Sequence, residues 1–274
     1  MKILKKYLKR LFKIIKKNEL RILPGQIAFF IVLSLIPLVT LVGFIASQFQ
    51  VDLEFILETM EDSLPTQVID ILLPALSNPG LLTGVSMVIG FFLASNATSS
   101  IIIASNMLFK LEDNGYIRRR VKAIIMLVIL LFLFLFMLVV MAFGNNIAVF
   151  VLELIFNNKV PYAIYELFVF IKWTLGLLLA YIMVKMIFTI SPDSSIPSKN
   201  MNKGALFTTL SWIIVTSGYS LYVSNFADYN FFYGSLANII VLMMWIYILS
   251  YTLVIGMAIN SDDYLNSLKE AENK

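Results

Sequence analysis

Apolar and polar positions alternate along this chain on a coarse scale, not residue by residue. Six stretches of mostly apolar residues, at about 25–49, 80–109, 121–143, 162–190, 205–226 and 234–260, are each long enough to cross a bilayer as a helix. The fold expected is therefore an all-α polytopic membrane helical bundle with six transmembrane helices. Between spans the pattern becomes amphipathic. Residues 2–17 put Ile3, Leu4, Tyr7, Leu8, Leu11, Phe12, Ile14 and Ile15 on one helical face and eight Lys or Arg on the other. Such a helix lies in the headgroup plane with its apolar side down. Residues 1–24 thus read as a basic interfacial segment, 25–260 as the membrane domain and 261–274 as a polar tail that frays. The stretch Val51 to Pro79 carries six acids and no base, with its apolar residues at helical spacing, and Asn145 to Lys159 resembles a second surface helix with Glu153 on its polar side. Both are expected to form surface helices opposite the basic side, with acids facing water.

Charge orients the pattern. Of 21 Lys and Arg, nine lie in Met1 to Pro24, five in Lys110 to Lys122, three in Lys185 to Gly204 and two after Asn260. The opposite segments hold only Lys159, and Lys172 falls within a span. Basic flanks resist translocation, so both termini are expected on the cytoplasmic side of a cell (inner, cytoplasmic) membrane. The net charge of +4 then reflects topology and anionic lipid headgroups, above all at the amino-terminal helix, with no nucleic acid implied. The run after Pro24 is too long for a signal-peptide core and reads as a retained first span. With 59% hydrophobic residues and mean hydropathy +0.87, little chain is left for a soluble domain.

Histidine and cysteine are both absent, which removes disulfides, thiolate nucleophiles, Cys/His metal sites and imidazole relays. No cofactor is expected. A nuclease needs a carboxylate cluster or an acid–base pair near phosphate. The acidic pairs on the inner side, Glu112 with Asp113 and Asp262 with Asp263, read as solvated residues, so an enzyme is not expected.

Polar groups inside spans carry the remaining information. The first span holds Ser34 and Pro37 near its middle, where proline removes a backbone donor. The second contains the run Ala94 to Ser100, and Asn96, Ser99, Ser100 and Asn106 share one helical face. Hydrocarbon cannot satisfy such groups, so this face points into protein or a wet cavity. It serves either close packing of small residues or a polar pathway. Lys172 lies near mid-depth if its span starts at Tyr162, and snorkels to the outer headgroups if it starts near Phe168. Six spans also divide into two opposed groups of three, as in inverted-repeat transporters, although no internal repeat aligns.

An ordered set of motifs then carries a family signal: Ala28-Phe29-Phe30, Ser34 and Pro37; Ala94-Ser95, Asn106 and Arg118 to Arg120; Pro192, Gly204-Ala205 and Tyr222; Tyr233-Gly234-Ser235-Leu236, Trp245-Ile246-Tyr247, Gly256 and Asn260. The chain resembles the YihY, or virulence factor BrkB, family from about Gly25 to Asn260. The resemblance implies a six-span inner-membrane protein. Members have carried a ribonuclease BN label, and some are linked to virulence or to movement of lipids and other envelope components. Relatives often end the sixth span Gly-Ala-Glu-Leu-Asn, whereas this chain has Ala258 at the glutamate position. Two functions follow as expectations. One is a transporter or flippase for lipid or another amphipathic envelope component, its polar pathway drawn from Ser34, Pro37, Asn96, Ser99, Ser100, Asn106 and Lys172. The other is a non-transporting membrane scaffold or envelope-assembly factor. Assembly into a homo-oligomer stays open.

Overall fold

The computed structural model describes residues 19–48, 84–156, 162–226 and 236–272. The amino-terminal amphipathic helix, the acidic segment 51–79, Lys159 and the aromatic loop 228–233 lie outside them. Six long helices make up the described chain: α1 (Glu19–Gln48), α2 (Gly84–Phe109), α3 (Tyr116–Phe156), α4 (Tyr162–Ile190), α5 (Asn202–Phe226) and α6 (Leu236–Glu272). A single 3-10 turn, Ser198–Met201, precedes α5. Among the described residues five helices are long and apolar enough to span a membrane, in α2 to α6, and α1 contributes a shorter apolar stretch, Arg21–Leu35. The all-helical membrane bundle read from the pattern is the fold observed.

Three boundaries differ from expectation. The third span and the separate surface helix expected from Asn145 are one helix of 41 residues, about 60 Å long at 1.5 Å per residue. Nothing between Phe143 and Phe156 breaks it, since Gly144 costs only about 1 kcal/mol in a helix and no proline follows. The polar tail does not fray after Asn260 but stays helical to Glu272. Ser261 is buried there and donates to Leu108 O at 2.5 Å, and Tyr264 packs on Phe109. At the other terminus α1 already begins at Glu19, with Leu23 in the core.

The start of α1, the end of α2, the starts of α3 and α5 and the ends of α4 and α6 all meet in one hydrophobic core. Successive helices therefore run in alternating directions, and we call their meeting place the basic end, since Lys110, Arg118 to Arg120, Lys122, Lys199, Lys203 and Lys269 cluster around it. In this core Ile27, Ile102, Met126, Val184, Phe188 and Met257 are fully enclosed. Around the bundle α1 lies between α2 and α6, and α5 lies on α6. The α3–α4 hairpin joins along two edges, α3 to α2 and α4 to α5. It is peripheral: 11% of the apolar span of α4 and 17% of that of α3 are buried, against 61% for α2.

Two close crossings lock the central helices. A Cβ on Gly204 would land on Gly256 O and the Asn260 amide, and one on Gly256 would land on Thr208 Oγ1. Small residues four apart on α5 (Gly204, Thr208) thus face small residues on α6, the close approach that packs helices where lipid gives no hydrophobic drive. On the other side, a Cβ on Gly90 would sit 2.5 Å from Pro37 Cβ, so Gly90 makes room for the proline ring.

Candidate functional site

The polar face of α2 is the element around which charged groups gather. On α2 the small residues Ala94, Ser95, Ala97 and Thr98 are buried, and α3 approaches closely enough for Thr98 Oγ1 to donate to Ala123 O at 2.8 Å. That contact sets the level of the two helices. Arg120 lies on the α3 side nearer the connecting turn, whereas Asn96 and Phe92 lie beyond Thr98, away from it. The Arg120 side chain therefore reaches away from the basic end. Its Nη1 donates to Asn96 Oδ1 at 2.6 Å and its Nη2 to Phe92 O at 3.3 Å. The guanidinium carbon stands 3.6 Å from the centroid of the Phe92 ring, a cation–π geometry. Its Nε is buried and has no acceptor.

Three turns further along α2, Lys122, two residues after Arg120 on α3, is met by a carboxylate. Lys122 Nζ donates to Asp193 Oδ1 at 2.5 Å and to the carbonyls of Ser191 and Pro192. Asn106 closes on the same residue twice, Nδ2 donating to Asp193 Oδ2 at 2.7 Å and Oδ1 accepting from Asp193 N at 2.9 Å. Asn114 Nδ2 reaches Asp193 O. The turn after α4 is thus tied to α2, to α3 and to the turn between them through one residue. Burial opposes the charge on Asp193, but hydrogen bonds from Lys122 and Asn106 and the lysine charge outweigh it and hold the carboxyl below its usual range. Nearby, Arg119 pairs with Asp113.

A third polar knot organises α5. Asn260, fully buried on α6, accepts from Gly204 N at 2.7 Å and donates to Met201 O at 3.2 Å. It satisfies one of the backbone donors that a helix start leaves open, as a cap supplied from another helix. Ala258 is fully enclosed in the apolar core.

The residues singled out from sequence are dispersed among these features. Asn96 and Asn106 both bind protein groups, but different ones, 15 Å apart along α2 at 1.5 Å per residue. Ser100 is buried and Ser99 half-buried on the same helix. Ser34, buried, turns its hydroxyl to Ile31 O of its own helix at 2.8 Å. Pro37 packs on Gly90. Lys172 is half-buried on α4, between exposed Ile171 and Trp173. Eighteen residues, about 27 Å of rise, separate it from Ile190, so the Asp193 cluster lies beyond its reach. Sequence reasoning did not single out Asp193, Lys122 or Arg120 as site residues, reading the two cations as part of a basic inner turn and Arg120 as part of a family motif. The available signal was a lone acid directly after Pro192 in an otherwise basic connector.

Comparison with known proteins agrees with this architecture. Residues 11–273 match the family model described as Virulence factor BrkB. The ribonuclease-like protein YfkH of Bacillus subtilis is 26% identical over 262 residues, covering 93% of this chain and 94% of its own. A UPF0761 membrane protein of Vibrio campbellii is 25% identical, covering 92% and 80%. The UPF0761 membrane protein YihY of Salmonella newport is 33% identical over a shorter stretch, 27% of this chain and 25% of its own. No solved structure matches. With a family match from end to end and a helical membrane bundle to go with it, the chain belongs to the virulence factor BrkB family of membrane proteins.

Proposed function

We propose that this protein is a transporter or flippase that moves a lipid or another amphipathic envelope component across the cytoplasmic membrane, with its basic end and both termini on the cytoplasmic side. The observation that supports this reading is the direction of the α3 cations. Interfacial Lys and Arg ordinarily extend to the headgroups. Here Arg120 turns onto the polar face of α2, and Lys122 onto the Asp193 turn that Asn106 of that face also binds, where a peripheral hairpin meets the core. A seam of that kind suits an amphiphile. The headgroup follows the polar positions Asn96, Ser99, Ser100 and Asn106 while the chains stay in lipid, so no wide pore is needed. The Lys122–Asp193–Asn106 cluster holds the hairpin shut at the basic end. Ser34 and Pro37 back the seam from α1, and Lys172 places a further cation far along α4 from that end. The amino-terminal helix would dock on anionic headgroups.

The reading is non-enzymatic. The ribonuclease-like name belongs to the Bacillus relative; this chain has no histidine, and the carboxylate of its polar cluster is committed to Lys122 and Asn106. The test is a vesicle assay. Proteoliposomes carrying a fluorescent phospholipid should let dithionite bleach inner-leaflet label that empty vesicles protect. Bleaching equal to that of empty vesicles, across several headgroups, overturns the proposal.

A further inference from the structure

The two cations on the α2 seam are answered differently. Lys122 meets the Asp193 carboxylate, whose side chain is 4% exposed, and its charge is neutralised. Arg120 is held only by neutral acceptors, an amide oxygen, a backbone carbonyl and a ring face. Among the described residues no carboxylate reaches it. Two of its five N–H groups are used, and its Nε donor is buried without an acceptor. A full positive charge is therefore kept at the middle of α2, directed away from the basic end. That placement is costly in a bilayer unless an anion completes it.

We propose that Arg120, with Asn96 and Phe92, seats the anionic headgroup of a phospholipid-like amphiphile. This rests on the transport reading and names its substrate class. Guanidinium matches phosphate and carboxylate oxygens through parallel N–H bonds, and its planar fork tolerates stacking on Phe92 at the same time. Asn96 keeps its amide group to position the headgroup. The route of entry points to a membrane ligand. Phe92 is 51% exposed and Val88, four residues earlier on the same face, is 69% exposed, so the seat opens sideways where lipid lies.

The test is binding, read separately from transport. Full-length protein in mild detergent is offered phosphatidylglycerol, phosphatidylcholine and inorganic phosphate, and retained lipid is counted by native mass spectrometry. Wild type should retain phosphatidylglycerol about fivefold better than phosphatidylcholine, the worth of one cation beside an anionic headgroup. Arg120→Gln should lose that preference, and Arg118→Gln, at an exposed position, should keep it. Because Arg120→Gln removes the donor to Asn96 and can impair folding, a second measurement leaves the seat intact. A photo-cross-linking residue at Val88 should capture phosphatidylglycerol over phosphatidylcholine, and one at Val128, exposed on α3, should show no preference. Unchanged preference in Arg120→Gln, equal capture of both lipids at Val88, or displacement of lipid by millimolar inorganic phosphate each overturns the proposal. Anion-selective binding without lipid movement in vesicles would sink the transport reading alone.

Discussion

Asp193 accepts from a lysine and an amide through its two carboxylate oxygens, while its main chain is held by two asparagines. Removing its charge leaves Lys122, 24% exposed, with neutral oxygens only, among them the carbonyls of Ser191 and Pro192. Breaking a buried pair costs about 3–5 kcal/mol, and partial exposure of the lysine reduces that, so Asp193→Asn should lower stability by about 2–3 kcal/mol in detergent melts. The pH dependence has a definite sign. The folded carboxyl titrates below its unfolded value near 3.9, so its contribution is complete above that value and is lost as pH falls through the depressed one. Thermal stability attributable to Asp193 should stay level from pH 7 to about pH 5 and drop below about pH 4. Asp193→Asn should lack that part of the drop; a profile identical to wild type would contradict the assignment.

At the scale of elements, the α5–α6 crossing is a close contact that depends on two absent side chains. Gly204→Ala and Gly256→Ala each force a methyl into opposing backbone or side-chain oxygen. Overpacking costs about 1–3 kcal/mol where neighbours can shift, and backbone cannot shift easily, so losses at or above that range are expected in chemical unfolding. Asn260→Ala removes the cap on Gly204 N and should cost about 1–2 kcal/mol. The pattern of apolar runs foretold the helices because bilayer thickness dictates their length, and it kept Asn96 and Asn106 out of lipid, towards protein or a wet cavity, because lipid cannot satisfy an amide. Their partners were illegible. Arg120 and Asp193 reach the seam through tertiary packing of α3 and of the turn after α4, and no local spacing encodes that. The uninterrupted α3 was missed because polarity near Asn145 suggested an exit from the bilayer, whereas helix continuity depends on breakers, and no proline is there.

For the whole molecule, a core concentrated at the basic end and a lightly buried hairpin beside it are the features the transport proposal uses. Orientation is tested first. The chain has no native cysteine, so single cysteines at Gly115 and Asn200 should react only with permeant reagent in intact cells; labelling by an impermeant one would reverse the bundle. The central claim, that a headgroup crosses along the polar face of α2, is tested most directly by closing that face. Asn96→Leu keeps the branched shape of the side chain, though it is bulkier, and replaces the amide with hydrocarbon. Its rate of lipid translocation in vesicles, at equal reconstituted protein, should fall at least about tenfold, equivalent to roughly 1.4 kcal/mol on the barrier. A rate equal to wild type would contradict the account.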